Sequence, residues 1–203
     1  MVTKETRLVI LELLEGEKKG VVLEAGAGFY GDFIEMLLKR GFQVKACDIN
    51  EKILEMGHRV GIECKVSDLN KRLDYDDSTM DYVILSEVLE HLENPWNAVR
   101  ECSRVLRKGG VLLISTPNVL HIAYRLLYFV MGEFPHFRLN DYHTLHHITP
   151  IPLWNIKRML SEAGMIPEVI TYDTGYMPKL RLHFPIKNIF LGHTLIIKAR
   201  KPH

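Results

Sequence analysis

The sequence predicts an α/β protein whose strands form one mostly parallel sheet. Short apolar runs alternate with stretches of helical periodicity, the order expected when helices connect parallel strands. A glycine-rich turn follows the first apolar run, and acidic residues follow the next ones. Because parallel strands joined by right-handed helical connections end at the same edge of a sheet, these polar residues are candidates for a binding site.

A regular succession of helices and strands fills the first part of the chain. Apolar runs predict strands at Val21–Glu24, Phe42–Cys47, Ile62–Val66, Asp81–Ser86 and Val111–Ser115. Helical spacing of apolar residues predicts helices at Thr3–Glu15, Asp32–Arg40, Glu51–Val60 and Pro95–Arg107. Gly41 ends the second helix and Gly109 the fourth, whereas Asn94 supplies an N-cap for the fourth.

The regular alternation ends after Pro117. We interpret Val119–Thr149, which is rich in aromatic and histidine residues, as a lid-like insertion that shapes a binding pocket. A contact between two copies of the chain is the alternative. Downstream, the pattern predicts one helix and an antiparallel strand pair, at Thr149–Ala163, Ile166–Thr171 and Thr194–Ala199. We expect residues 1–203 to form a single domain.

Composition limits the class of protein. The chain has 203 residues, of which 47% are apolar and 25% charged, as in soluble globular proteins. Its net charge of +1 creates no field toward nucleic acid or an anionic membrane, so neither is an expected partner. An odd number of cysteines without a CxxC pair fits a reducing compartment. The N-terminus is too charged for a secretory signal, and we therefore expect a cytoplasmic protein.

The most informative stretch is Val21–Gly31, where a strand leads into a glycine-rich turn and a helix. Gly26, Gly28 and Gly31 match G-x-G-x-x-G, and glycines allow both a tight turn and the close approach of a nucleotide-sized ligand. Glu24 lies just before the turn, where its carboxylate would repel a dinucleotide pyrophosphate. A Tyr-x-x-x-Lys pair is also absent from the sequence. A dinucleotide-dependent oxidoreductase or epimerase is therefore the disfavoured alternative.

Polar side chains follow each of the first four predicted strands. Asp48 can accept hydrogen bonds from both hydroxyls of a ribose. Asp68-Leu69 offers an acceptor for an adenine amino group and an apolar surface for its ring. With Glu24 after the first strand and Ser86-Glu87 after the fourth, four strand ends contribute to one cleft.

Three segments make the chain resemble class I S-adenosylmethionine-dependent methyltransferases, notably the ubiquinone-biosynthesis type: Leu23–Gly28, Ser86–Leu92 and Leu106–Asn118. The resemblance implies a Rossmann-like, doubly wound, seven-stranded sheet with an antiparallel last strand. It implies S-adenosylmethionine as cofactor, bound by Glu24, Gly26, Ala27, Gly28, Tyr30, Asp48, Ile49, Asp68, Leu69, Ser86 and Glu87. Tyr30 departs from the family pattern, and we expect its ring to form part of the site wall.

The resemblance also implies methyl transfer by direct displacement to oxygen or nitrogen of a small-molecule acceptor. Because the sulfonium is already an activated leaving group, the protein mainly aligns the reactants and supplies a base where the acceptor holds a proton. The candidate catalytic residues are Glu87, His91 and His143. An RNA methyltransferase is disfavoured by the near-neutral charge, and a binding module without turnover by the intact cofactor acids.

A divalent metal is the remaining open question. Glu87, Glu90 and His91 have the spacing of one helical face. Glu-x-x-Glu-His is similar to the segment that holds a metal in some ubiquinone-biosynthesis O-methyltransferases and small-RNA terminal 2′-O-methyltransferases. In other members such residues only face the cleft or pack, so we expect no metal and keep this trio as the alternative. Since the insertion is also compatible with a contact between two copies of the chain, a homodimer is kept as an alternative.

Overall fold

The structure is a computed structural model that describes residues 4–28, 31–177, 182–184 and 187–203. Its strands are β1 (Val21–Ala25), β2 (Gln43–Asp48), β3 (Glu63–Val66), β4 (Met80–Ser86), β5 (Leu106–Pro117), β6 (Ile166–Tyr172), β7 (Gly175–Met177), β8 (Leu182–Phe184) and β9 (Thr194–Arg200). Its α-helices are α1 (Lys4–Leu13), α2 (Asp32–Lys39), α3 (Lys52–Val60), α4 (Pro95–Val105), α5 (Ile122–Met131), α6 (Leu139–Leu145) and α7 (Leu153–Glu162).

The main sheet has seven strands in the order β3-β2-β1-β4-β5-β9-β6. The strands from β3 to β5 pair in parallel, whereas β9 is antiparallel to both of its neighbours, β5 and β6. The strand order reverses between β1 and β4, so the crevice beyond their carboxyl ends is where such sheets bind ligands. The expected doubly wound sheet with an antiparallel last strand is confirmed.

Both faces of the sheet are buried, each under its own helices. Leu23 and Val83 point to the face covered by α4 and α7, whereas Val22 and Ile84 point to the face covered by α1, α2 and α3. Strands buried on both faces are nearly continuous apolar runs, which explains why the sequence located them.

The end of α4 differs from the sequence-based prediction. We expected this helix to reach Arg107, but it ends at Val105, and the next residue, Leu106, already pairs with Met80 of β4. Lys201 donates from Nζ to the carbonyl oxygens of Ser103 and Leu106 at 2.7 and 2.8 Å. The last helical carbonyls thus find their donor in a distant segment that no local pattern reveals.

The predicted insertion contains α5, α6 and a segment without regular secondary structure that leads towards α7. The helix that we expected to begin at Thr149 begins at Leu153 instead. The backbone N–H groups of Ile148 and Thr149 donate to the carbonyl oxygen of Glu90, at 2.9 and 3.1 Å, and so tie the insertion to the end of β4. The β7–β8 hairpin was not predicted. In the described ranges, no helix is long and apolar enough to cross a membrane.

Candidate active site

A cavity of about 320 Å³ opens beyond the carboxyl ends of the parallel strands, at the point where the strand order reverses. Its volume lies in the range of small-ligand sites. Four successive strand ends contribute to its lining, as the sequence predicts for one common cleft. The lining residues are Gly26, Gly28, Asp48, Ile49, Ser67, Asp68, Leu69, Asn70, Glu87, Val88, His91 and Leu92.

The glycine turn, residues 26–28, is held against β2. Gly26 and Ala27 donate their N–H groups to the carbonyl oxygen of Cys47 at 2.8 and 3.1 Å, and Gly28 donates to Asp48 Oδ2 at 2.8 Å. Gly26 and Gly28 have φ of +79° and +65°, which favour glycine. Apart from its chain neighbours, no described residue has an atom within 4 Å of an added Cβ at Gly28, so its backbone is open to a ligand. Tyr30 lies outside the described residues.

Asp48 has acceptor capacity left for a ligand. Its Oδ2 accepts from Gly28 and its Oδ1 from the N–H of Asn50 at 2.9 Å. A carboxylate has about four acceptor positions, so both oxygens retain a free one for ribose hydroxyls. The neighbouring Ile49 is largely exposed at the cavity mouth, where an apolar side chain can cover an adenine ring.

Asp68 is held in its ionised form on the opposite wall. Its Oδ1 accepts from the backbone N–H and the side-chain amide of Asn70, at 2.9 and 3.1 Å. These hydrogen bonds, the backbone one foremost, lower the pKa of Asp68, and Lys71 adds to the effect. The adjacent Leu69 is buried and faces the cavity. The pair thus combines a hydrogen-bond acceptor with an apolar surface.

Glu24 and Arg7 lie near the glycine turn with unused hydrogen-bonding atoms. Glu24 Oε2 is buried and has no partner among the described residues, and burial raises the pKa of this carboxyl to about 8, although the positive charge of Arg7 opposes the shift. Arg7, from α1, pairs with Asp32 at the start of α2, and within the same ranges its buried Nε has no hydrogen-bond partner. Sequence reasoning does not identify Arg7, because a lone arginine in a helical pattern gives no sign of lying near the Glu24 carboxyl.

Glu87 has a strained backbone at the end of β4. Its φ is +54°, a left-handed conformation that costs a non-glycine residue about 1–3 kcal/mol. Its N–H donates to both the carbonyl oxygen and the Oγ of Ser115, at 3.0 and 3.1 Å, and Ser86 Oγ lies 3.2 Å from the same hydroxyl. In the part of the chain that the structure describes, the buried Glu87 Oε1 has no partner, and burial raises the pKa of Glu87 to about 7.

Beside the cavity, Glu90, His91 and His147 form a cluster whose ligand atoms all lie within 4.8 Å of one another. Glu90 is fully buried, and its Oε2 accepts from Thr116 Oγ1 at 3.0 Å, while its Oε1 has no partner in the described ranges. Burial raises the pKa of Glu90 well above its usual range, and the neighbouring Glu87 adds to this. The cluster therefore combines a buried acid with two imidazoles at the rim of the cleft.

Backbone carbonyls orient both imidazoles of this cluster. His91 Nδ1 lies 3.1 Å from the carbonyl oxygen of His146, and His147 Nδ1 lies 3.1 Å from that of His136. A carbonyl only accepts, so each Nδ1 carries the proton and each Nε2 keeps its lone pair. Desolvation lowers the pKa of His91 and lowers that of His147 to about 4, so both rings are neutral at pH 7.

His143, which the sequence analysis selected, lies elsewhere. It is exposed on α6, where its ring contacts Tyr142 with 5.2 Å between centroids, and it does not line the cavity. The insertion instead brings His147 to 4.7 Å from the ring of His91. Sequence spacing cannot distinguish these histidines, because α6 ends between them and the chain reverses there.

A buried tyrosine fastens the insertion to the sheet. Tyr124 Oη lies 2.9 Å from the Nε2 atoms of His136 and His193. Since a hydroxyl donates one hydrogen bond, one of these histidines accepts and the other donates. His193 precedes β9, and His136 holds His147 through its carbonyl, so Tyr124 links β9 to the rim cluster.

The fold and the site are those that the sequence predicts for a class I S-adenosylmethionine-dependent methyltransferase. The family model described as "Methyltransferase domain" matches residues 23–114, the stretch that carries the four strand ends. This match covers less than half of the 203 residues.

Similar proteins agree with this assignment. The ubiquinone biosynthesis O-methyltransferase of Alkalilimnicola ehrlichii is 30% identical over 111 residues, covering 52% of this chain and 43% of that protein. A probable S-adenosylmethionine-dependent methyltransferase of Mycobacterium tuberculosis is 37% identical over 100 residues, covering 48% and 35%. The chain thus spans less than half of the length of these curated relatives.

Solved structures show the same fold at low sequence identity. A SAM-dependent methyltransferase from Archaeoglobus fulgidus has a TM-score of 0.69 at 19% identity, covering 96% of this chain and 94% of that one. An S-adenosylmethionine-dependent methyltransferase from Mesorhizobium loti has a TM-score of 0.69 at 18% identity, covering 95% and 96%. The fold therefore extends beyond residues 23–114 to nearly the whole chain.

Proposed function

We propose that this protein transfers the methyl group of S-adenosylmethionine to a hydroxyl oxygen of a small-molecule acceptor. The observation that carries the proposal is the position of His91. Its side chain lines the cofactor cavity and also belongs to the cluster with Glu90 and His147, so a lone-pair nitrogen lies where donor and acceptor would meet. A nitrogen acceptor is the second candidate. Its methylation would depend less on His91 as a general base.

The cofactor roles follow the strand ends. Asp48 accepts from the ribose hydroxyls, Asp68 from the adenine amino group, and Leu69 and Ile49 enclose the ring. The supporting geometry is the free acceptor capacity of both carboxylates and the open backbone at Gly28. For the methionine half, the unpartnered Glu24 Oε2 accepts from the ammonium group, and Arg7 Nε donates to the carboxylate.

Transfer itself is a single displacement. The acceptor oxygen forms a bond to the methyl carbon while the carbon–sulfur bond breaks, and the sulfonium becomes the neutral thioether of S-adenosylhomocysteine. The hydroxyl proton passes to the Nε2 lone pair of His91 or His147, and the Nδ1–H bonds to backbone carbonyls hold each ring in place. General-base assistance of this kind contributes about 10²–10⁴-fold.

The rim cluster also fits a divalent cation. Its unpartnered carboxylate oxygen on Glu90 and two imidazole nitrogens, on His91 and His147, are a donor set that transition metals prefer. A bound cation would polarise the acceptor hydroxyl and lower its pKa. This is the metal-assisted form of the same proposal, although the sequence favoured transfer without a metal.

Calorimetric titration tests the cofactor assignment. We expect S-adenosylmethionine and S-adenosylhomocysteine to bind and NAD not to bind. Asp48→Ala should weaken the binding of S-adenosylhomocysteine by about tenfold or more, since hydrogen bonds to a charged group contribute about 1.5–3 kcal/mol. Binding of NAD alone would point to the dinucleotide alternative, and unchanged affinity of the variant would remove the ribose role of Asp48.

The acceptor assignment needs a separate assay. Panels of catechols, simple phenols and primary amines, each with S-adenosylmethionine, can be screened for release of S-adenosylhomocysteine. We expect turnover with hydroxyl acceptors. Methylation confined to amines would replace the oxygen acceptor by nitrogen and leave the cofactor site as described.

A further inference from the structure

The candidate base His147 is oriented by a residue with an unusual backbone conformation. Its Nδ1 lies 3.1 Å from the carbonyl oxygen of His136, so this carbonyl determines which ring nitrogen carries the proton. His136 has a φ of +71°, in the left-handed region, which costs a non-glycine residue about 1–3 kcal/mol. Such a conformation persists only where the surrounding structure holds it.

The side chain of His136 is held by a buried tyrosine of α5. Tyr124 Oη lies 2.9 Å from His136 Nε2, and the two rings meet edge to face with 5.4 Å between their centroids. Burial raises the pKa of Tyr124, so its hydroxyl keeps the proton and stays a hydrogen-bond donor. His136 is thus held at its ring while its carbonyl points at His147.

Tyr124 is itself held from the far edge of the sheet. Its Oη also lies 2.9 Å from His193 Nε2. The backbone N–H groups of His193 and Thr194 donate to Asp173 Oδ1 at 2.9 and 2.8 Å. Asp173 is buried and directly follows β6, whereas Thr194 begins β9. One hydroxyl therefore connects the antiparallel strands with the insertion.

The other candidate base, His91, is oriented in a different way. Its Nδ1 lies 3.1 Å from the carbonyl oxygen of His146, which is also left-handed, with a φ of +58°. His146 is exposed and directly follows α6, and helices commonly end with a left-handed residue. The backbone of His146 thus has a local cause, whereas that of His136 coincides with a side-chain contact to a distant element.

We propose that Tyr124 is a positioning residue for methyl transfer: through the ring of His136, its hydroxyl fixes His147 so that the Nε2 lone pair stays at the rim of the cleft. The inference rests on the proposed function, in which this lone pair can take the proton of the acceptor. Displacement of a reacting group by about 1 Å can cost about 10²-fold in rate. Neither Tyr124 nor His136 is among the residues that line the cofactor cavity, so cofactor affinity should not depend on this link.

Nitrogen NMR of the His147 ring tests the orientation without turnover. We expect a neutral ring with its proton on Nδ1 in the unaltered protein, and a proton shared between both nitrogens in Tyr124→Phe. Tyr128→Phe is the matched control, because Tyr128 is exposed one turn further along α5 and its ring stacks on Phe134 at 4.3 Å. It should leave the signal unchanged. A His147 signal that is also unchanged in Tyr124→Phe would overturn the proposal.

Steady-state kinetics test whether the hydroxyl acts through His147. Tyr124→Phe should lower kcat by about tenfold or more, while KM for S-adenosylmethionine stays within about twofold. Added to His147→Gln, it should cause no further loss, because the ring that it positions is gone. A double variant whose loss is the product of the two single losses would overturn the proposal.

His136→Asn tests the same link from its other end, and it keeps the proposal testable if Tyr124→Phe does not fold. Asparagine tolerates a left-handed backbone and retains the carbonyl, but it lacks the imidazole that contacts Tyr124 Oη. We expect the same loss of kcat and the same change in the His147 signal. Full kcat and an unchanged signal in this variant would overturn the proposal. Binding of S-adenosylhomocysteine shows that each variant is folded.

Failure of the proposed function would give a different result. Full kcat in His147→Gln would overturn the assignment of His147 as a base, and the catalytic role of Tyr124 with it. Full kcat in Tyr124→Phe beside a loss in His147→Gln would overturn only the role of Tyr124.

Discussion

Gly26 and Val88 pack closely against each other at the point where the strand order reverses. A Cβ added to Gly26 would lie 2.6 Å from Val88 Cγ2, far inside van der Waals contact. Gly26 follows β1, and Val88 follows β4, so the two central strands of the sheet meet at this contact. The glycine is therefore required twice, by its positive φ and by the space that Val88 occupies.

Gly26→Ala should destabilise the protein and disrupt the cofactor site. Gly16→Ala is the matched control, because its φ of +80° is nearly that of Gly26 and no atom of the described residues beyond its chain neighbours lies within 4 Å of its added Cβ. Backbone strain alone costs about 1–3 kcal/mol in each variant. We expect Gly26→Ala to lose more stability in urea unfolding and to lose S-adenosylhomocysteine affinity by at least about tenfold. Equal effects of the two changes would contradict the steric role of Val88.

Arg7→Ala should weaken binding of ligands that carry the methionine half. S-adenosylhomocysteine should lose about tenfold or more in affinity, since a charge-assisted hydrogen bond contributes about 1.5–3 kcal/mol. 5′-Methylthioadenosine lacks the amino and carboxyl groups, so its affinity should stay unchanged. Titration calorimetry with both ligands distinguishes a direct contact of Arg7 with the ligand from a purely structural role. An equal loss of affinity for both ligands would mean that Arg7 only positions α1.

The pH dependence of cofactor binding should reveal Glu24. Burial holds the pKa of the free protein's Glu24 at about 8, so the carboxyl is mostly protonated at pH 7. An ammonium group bound there favours the ionised form, and binding then releases a proton. Affinity for S-adenosylhomocysteine should therefore rise with pH up to about 8 and level off above it.

Glu24→Gln provides the control for this titration. The amide keeps the size of the side chain but cannot ionise, so only the titration of the ligand remains. We expect the variant to bind S-adenosylhomocysteine more weakly, with an affinity that changes less with pH. A profile parallel to that of the unaltered protein would remove Glu24 from the proposed ammonium site.

His147→Gln and His143→Gln distinguish the two candidate histidines of the insertion. We expect His147→Gln to lower kcat by about 10²-fold or more, since it removes a base beside His91. His143→Gln should leave kcat nearly unchanged, because His143 is exposed on α6. S-adenosylhomocysteine affinity should stay within about twofold in both. A loss of kcat confined to His143→Gln would support the choice made from sequence.

The metal-assisted form predicts a different response to chelation. If a cation is bound by Glu90, His91 and His147, chelators should abolish turnover and a divalent salt should restore it, with cofactor affinity preserved. Turnover that resists prolonged chelation would leave the histidine bases as the only activating groups.

Local sequence patterns located most of the sheet and the cofactor side of the cleft. Central strands that are buried on both faces read as apolar runs. Asp48 ends β2, and Asp68 lies just beyond β3, the partly exposed edge strand. Arg7 and His147 are different, because each reaches its neighbour, Glu24 or His91, from another segment, α1 or the insertion. The end of α4 depends in the same way on Lys201, far along the chain.

The sequence by itself determined the order of strands and helices, the glycine turn and the acids at the strand ends, since these depend on residues close together in the chain. Only the tertiary structure decided which histidine joins His91 and which unpartnered atoms of Glu24 and Arg7 lie near the turn. These features arise where distant segments meet, and the burial that shifts the pKa values of Glu24 and His147 exists only after they have packed.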